Sequence, residues 1–157
     1  MLLKKIYYKD VISYAHYFDG KNFVISLASK KDDISIKTKN DDDANDITSR
    51  IFPIVGPIIV KRLTKIIFEE NREIKIGHVV FDCNGYHSDR VDIDGYAVSW
   101  KDIIYKAKID RGAVILAQDE YGESKFFTAI SISESNAVII PSLIETLYDE
   151  FLHRQQN

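Results

Sequence analysis

The chain has 157 residues, of which 45% are apolar and 29% charged. This length and composition predict one folded domain and exclude a disordered chain. The formal net charge of −3 argues against nucleic acid and anionic lipid as partners, since both are attracted by a cationic excess. The single cysteine, Cys83, excludes an internal disulfide and is typical of the cytoplasm. No secretory signal is recognisable, and the uncharged run over residues 51–60 is half the length of a membrane-spanning helix.

The first third of the chain has the pattern of strands. Residues 11–18 and 23–28 are rich in aromatic and β-branched side chains, and Asp19-Gly20 between them is a typical turn. This predicts an N-terminal β-hairpin, and alternation over residues 34–39 predicts a third strand.

An acidic segment and a helix follow. Residues 40–46 are polar and are predicted to be a linker, after which Asp46 or Thr48 caps a helix. Because proline is tolerated in a first helical turn, Pro53 and Pro57 predict that the main helix begins near Pro57, with a short helix over residues 48–55 before it.

Strand patterns return after residue 72. They cover residues 74–81, 87–93, 96–109, 113–117 and 125–132, and short turns such as Asn84-Gly85 and Asp94-Gly95 separate them. Trp100, the only tryptophan, is predicted to be a buried anchor at a bend. Helical spacing from Val138 to Arg154, with caps at residues 134–136, predicts a C-terminal helix. The fold class is therefore α+β, with one domain made of residues 1–45, 46–71 and 72–157.

This layout resembles that of bacterial pleckstrin-homology-like domains over residues 72–152. The resemblance rests on a strand headed by Gly77, the Asn84-Gly85 turn, Trp-Lys-Asp-Ile at residues 100–103, and Ser131-Ile-Ser-Glu-Ser-Asn before the last helix. It implies a strongly bent, mostly antiparallel sheet or partial barrel plugged by that helix. It implies no single activity, because such folds bind lipids, peptides or proteins.

Metal and catalytic motifs are incomplete. Cys83 and His87 are potential zinc ligands, with three others nearby at His78, Asp82 and Asp89, but a structural zinc needs four ligands and there is no second cysteine. A calcium loop starting at Asp92 would place Ile103 where a carboxylate is required. No nucleophile elbow or phosphate-binding loop is present. We therefore expect no cofactor, no metal and no enzymatic activity, although an active site built from distant residues stays open.

Lysines alternate with aromatic residues near the N terminus, as in proteins that stack bases of single-stranded nucleic acid. Aromatic residues in strands are more often core, and the neighbouring aspartates would repel phosphates. Nucleic acid is therefore not expected as a partner.

The strongest local charge feature consists of four carboxylates with no cation between them, Asp41, Asp42, Asp43 and Asp46. They are either a solvated cap or a surface that attracts a cationic protein. Size, charge and the lack of catalytic motifs resemble bacterial immunity proteins, which predicts a toxin inhibitor anchored by exposed aromatics such as Tyr86 or Tyr121. The alternatives are a sensor or membrane adaptor that binds a small ligand or lipid, and a structural subunit that pairs through its N-terminal hairpin.

Overall fold

A computed structural model of the chain describes residues 4–90, 97–102, 105–120 and 123–157. The two helices are α1 (Asp41–Phe68) and α2 (Ile140–Gln155). The strands, in chain order, are β1 (Ser13–Phe18), β2 (Phe23–Ala28), β3 (Asp33–Thr38), β4 (Ile74–Ile76), β5 (Val79–Phe81), β6 (Gly85–Ser88), β7 (Val98–Ser99), β8 (Tyr105–Asp110), β9 (Ala113–Glu120) and β10 (Glu123–Ser131). The predicted α+β class with a C-terminal helix is confirmed.

All strand pairs in the described residues are antiparallel, and they form three sheets. The first sheet has the order β1-β2-β3, with Tyr14 opposite Leu27 and Ile25 opposite Ile36. The predicted hairpin and third strand are therefore confirmed, and they form a sheet of their own. The other sheets have the orders β4-β5-β6-β7 and β8-β9-β10, and no closed barrel is seen within the described ranges. The turn predicted at Asp94-Gly95 lies outside those ranges.

Helix α1 begins earlier than predicted. Asn40 is the N-cap, and its side-chain oxygen accepts hydrogen bonds from the backbone amides of Asp42 at 2.9 Å and Asp43 at 3.3 Å. The prediction of a linker over residues 40–46, with a helix capped by Asp46 or Thr48, is wrong. The acidic residues stabilise the first turn instead, because their charge complements the positive end of the helix dipole.

Trp100 is buried as predicted, with 1% of its surface exposed. It lies in a 3-10 turn after β7, where its indole N–H donates to the backbone oxygen of Asp82 at 3.0 Å. The Asp82 carboxylate accepts from the backbone amides of Asn84 and Gly85 at 2.7 and 3.0 Å. A methyl group on Gly85 would lie 1.7 Å from the Val98 backbone oxygen, so only glycine fits between β6 and β7 here. The tryptophan and this turn therefore hold each other in place.

The C-terminal helix packs on the core with four fully buried residues, Ile140, Leu143, Ile144 and Leu147. A 3-10 turn at Ala137–Ile139 precedes it. Asn136, predicted to cap the helix, makes no side-chain cap. Its side chain instead accepts from the Tyr14 amide at 2.9 Å and donates to the Ile12 carbonyl at 3.2 Å. This residue therefore joins β1 of the first sheet to the C-terminal part of the chain.

Candidate functional site

The turn between β1 and β2 carries a fixed carboxylate. Asp19 accepts hydrogen bonds from the backbone amides of Asn22 at 2.7 Å and Lys21 at 2.9 Å. These two hydrogen bonds, of which the one from Asn22 has the larger effect, hold the pKa of Asp19 below its usual value. The tip of the hairpin therefore presents a carboxylate of fixed orientation and negative charge.

Three further carboxylates lie in the first turn of α1. Asp41, Asp42 and Asp43 are exposed, and none makes an ion pair with another described residue. Asp46 differs, because its carboxylate lies 3.0 Å from the Arg50 guanidinium one turn later. The structure thus brings the four predicted acidic residues together; the first three are unpaired, and Asp46 shares an exposed pair that exchanges readily.

A groove of about 680 Å³ separates the hairpin from the start of α1; we call it the hairpin groove. Its walls come from β1 and β2, from the early turns of α1 at Ala44, Asn45 and Thr48, and from Ile132 at the end of β10. Asp41 lies on the same helical face as Ala44, Asn45 and Thr48, since residues three, four and seven apart share a face. The groove therefore has an acidic rim.

An exposed aromatic ring borders this groove. Phe18, at the end of β1, has 56% of its surface exposed, and its ring centroid lies 5.0 Å from that of Phe23. Phe23 holds the ring of Phe18 from one side and leaves the other side open. Phe18 was not among the site residues predicted from the sequence, although its position next to the Asp19-Gly20 turn, at the end of a strand, is a signal of exposure.

Of the two aromatic anchors predicted from the sequence, Tyr86 is not part of this surface. Tyr86 has 1% of its surface exposed and its ring packs near those of Phe81, Trp100 and Phe127. The prediction that Tyr86 is exposed is wrong, because β6 directs this side chain into the core. Tyr121 lies outside the described residues.

The inner end of the groove holds a titratable ring. His16 Nδ1 lies 2.9 Å from the Tyr14 hydroxyl, and the His16 ring makes an edge contact with Phe52. Burial lowers the pKa of His16, and burial raises the pKa of Tyr14 to about 12 despite a hydrogen bond from Thr48. Near neutral pH, the Tyr14 hydroxyl therefore stays protonated and can donate a hydrogen bond to the neutral imidazole of His16.

Four of the five residues considered as metal ligands, His78, Asp82, Cys83 and Asp89, have other contacts in the structure. Asp82 caps its turn, the Cys83 thiol donates to Asn71 Oδ1 at 3.7 Å, and His78 Nε2 lies 2.6 Å from Thr128 Oγ1. Asp89 pairs with Lys75, which lowers the pKa of that carboxyl. Across residues 4–90, 97–102, 105–120 and 123–157, no group of three or more His, Cys, Asp or Glu side chains is arranged to hold a metal ion.

The sequence matches no protein-family model and none of the curated proteins. Neither helix in the described part of the chain combines the length and the apolar character needed to cross a bilayer.

Proposed function

We propose that this chain is a non-enzymatic, cytoplasmic protein-binding module with a pleckstrin-homology-like core. In its most concrete form it is an immunity-like or antitoxin-like inhibitor that neutralises a cationic toxin. The observation that carries the proposal is the hairpin groove: the Asp19 carboxylate and the exposed ring of Phe18 line it, and the exposed carboxylates of Asp41, Asp42 and Asp43 lie in the first turn of α1, just before the residues that form its helical wall.

Charge and apolar contact have different tasks on such a surface. Unpaired carboxylates attract a cationic partner over several ångströms and raise the rate of association, an effect that salt screens. A large ring that becomes buried on binding slows dissociation, because aromatic anchors at the centre of an interface contribute most of its binding energy. Asp19 and Phe18 line the hairpin groove together, and the α1 carboxylates precede its helical wall, so negative charge and an exposed ring occur on the same part of the surface.

The test uses the product of a toxin-like reading frame next to this gene as the partner, with association measured by surface plasmon resonance. Replacing Asp41, Asp42 and Asp43 by Asn is expected to lower the association rate constant by about tenfold or more at low salt. The matched control replaces three exposed acidic residues elsewhere, Glu73→Gln, Glu145→Gln and Asp149→Asn, and is expected to keep the wild-type rate.

Phe18 is tested separately through dissociation. Phe18→Ala is expected to raise the dissociation rate constant by about tenfold with little change in association. Tyr8→Ala, an exposed aromatic outside the hairpin groove, is the control. Binding that is insensitive to salt, an equal loss in the acidic control, or no binding to the neighbouring gene product would each refute the inhibitor proposal.

A further inference from the structure

A second groove, of about 1080 Å³, lies on another part of the molecule. It is formed by the N-terminal segment, the turn between β2 and β3, and the second half of α1. Its lining includes six cationic residues and three acidic ones: Lys5, Lys30, Lys31, Arg62, Lys65 and Arg72, with Asp10, Asp32 and Glu70. We call it the cationic groove, because its lining has a positive excess on a chain whose net charge is −3.

Arg62 builds the floor of this groove. Its guanidinium donates to the backbone oxygens of Val11 at 2.7 Å and Lys9 at 2.9 Å, which fixes the N-terminal segment against α1. Ile6, Ile12 and Ile66 line the groove as apolar residues. Because the Arg62 guanidinium donates hydrogen bonds to the backbone, its role is structural. Contact with an anionic ligand is left to the other cations of the groove.

The turn between β2 and β3 presents two lysines. The Ser29 hydroxyl accepts from the amides of Lys31 at 3.2 Å and Asp32 at 3.1 Å, which holds the turn in one shape. Lys30 and Lys31 are exposed at its tip, and neither makes an ion pair with another described residue. These two ammonium groups are therefore available to an anion.

Among the remaining cations, Arg72 pairs with Glu70 at 3.2 Å, whereas Lys65 and Lys5 are held weakly or by a ring. Lys65 lies 3.9 Å from Glu69 in an exposed pair, which is worth little and exchanges readily. The Lys5 ammonium lies 4.9 Å from the centroid of Tyr7, whose surface is 56% exposed. An exposed aromatic ring with Lys5 over one of its faces thus lies beside available cations, whereas the N-terminal aromatics were expected to be core.

The carboxylates at the start of α1 do not neutralise the cationic groove. Asp43 and Arg62 lie on the same helix at a separation of roughly 28 Å, from about 1.5 Å of rise per residue. Salt screens exposed charges beyond about 8 Å at physiological ionic strength. Repulsion of a phosphate by the aspartates of α1 is therefore weak at the cationic groove, and the acidic residues that oppose its six cations are the three in its own lining, Asp10, Asp32 and Glu70.

We propose that the cationic groove binds single-stranded nucleic acid. Lys5, Lys30, Lys31 and Lys65 contact backbone phosphates, and Tyr7 stacks on a base, the combination that nonspecific single-strand binding uses. A bilayer fits less well, since a flat surface meets the exposed lysines but leaves the concave part of the groove, lined by Ile6, Ile12 and Ile66, unfilled. The proposal is independent of the inhibitor function, which uses the hairpin groove.

The experiment measures fluorescence anisotropy of a labelled oligothymidylate of roughly 12 nucleotides. Binding is expected to weaken with salt, and the plot of log affinity against log salt should have a slope of about −2 to −3 for three or four phosphate contacts. Lys30→Gln with Lys31→Gln should weaken binding and make that slope shallower by about 1.4, since two phosphate contacts are lost. Tyr7→Ala should weaken binding by about tenfold and leave the slope unchanged, because stacking releases no counterion.

The control pair Lys101→Gln and Lys108→Gln removes the same charge from exposed positions outside the groove, and its binding should equal that of the unmodified protein. An equal loss of affinity in this control would mean that overall charge, and not the groove, determines binding, and it would overturn the proposal. The absence of an anisotropy change at about 50 mM salt would overturn it too. Phosphatidylserine vesicles form a separate arm, and binding to vesicles without binding to the oligonucleotide would assign the groove to membranes instead.

Discussion

His16 places a titratable ring among aromatic side chains at the inner end of the hairpin groove. Its neighbours there are Tyr14, which shares a hydrogen bond with it, and Phe52, and neither offers a negative charge to an imidazolium near neutral pH. Protonation is therefore disfavoured in the folded state, and the pKa of His16 lies below the ordinary value of 6.5. Because the unfolded chain has the ordinary value, it binds more protons than the folded chain between the two pKa values.

This difference predicts a loss of stability in mild acid. The contribution of neutral His16 is fully present above pH 6.5 and is lost as the pH falls from 6.5 through the lower folded pKa. His16→Gln should remove this part of the pH dependence. The measurement is the free energy of unfolding in urea between about pH 5 and pH 8.

His153→Gln, at the exposed end of α2, is the matched control and should retain the wild-type profile. If His16→Gln lost as much stability in acid as the unmodified protein, the titration would belong to other groups.

At the scale of elements, the start of α1 depends on one side chain. Asn40 satisfies two backbone amides of the first turn, so Asn40→Ala is expected to cost about 1 kcal/mol of unfolding free energy. Asn40→Asp should retain most of the stability, because a carboxylate can accept the same bonds. Urea unfolding of the three proteins measures the difference.

Asn45→Ala is a control for the loss of an asparagine within the same helix. Asn45 is exposed in the second turn, where alanine has the better helix propensity, so this variant should be no less stable than the unmodified protein. If Asn45→Ala lowered the free energy of unfolding as much as Asn40→Ala, the cap at Asn40 would make no specific contribution to stability.

Local patterns predicted the strands better than they predicted α1. The β1–β2 hairpin follows from alternation and a turn signal within a few residues, and the structure contains it. The position of Pro53 and Pro57 inside α1 could not be deduced in this way, because an interior proline costs about 3 kcal/mol on local grounds alone. Both prolines are exposed on one side, where water can reach the carbonyls that lack a donor, while Val55 and Ile59 bury the other side.

The two grooves show that local sequence patterns are limited in the same way when they are used to predict binding sites. The carboxylates of α1 are neighbours in sequence, so their grouping could be seen without a structure. Tyr86 was misassigned because its own sequence neighbourhood does not show that Trp100 and Phe127 surround it. The cationic groove combines residues from three distant segments, and only the packing of the first sheet on α1 brings them together.

At the scale of the whole molecule, one apolar cluster connects the elements. Its buried members come from all three sheets and both helices, for example Tyr14, Ile59, Phe81, Leu116 and Leu143. The bonds of Asn136 to Ile12 and Tyr14 add a polar link between the first sheet and the C-terminal part. We therefore predict that the chain is a single domain whose parts unfold together.

Cooperative unfolding can be measured with two reporters. Fluorescence of Trp100 reports on the region around β7, whereas far-UV circular dichroism reports on all helices and strands, and the two urea transitions should coincide. Leu143→Ala leaves a cavity in the common core and should lower the unfolding free energy by about 3 kcal/mol in both signals. Leu152→Ala, at an exposed position of α2, should change it by less than about 1 kcal/mol. If Leu143→Ala shifted the fluorescence transition and left a separate dichroism transition in place, part of the structure would fold independently of α2, and the single-domain prediction would be wrong.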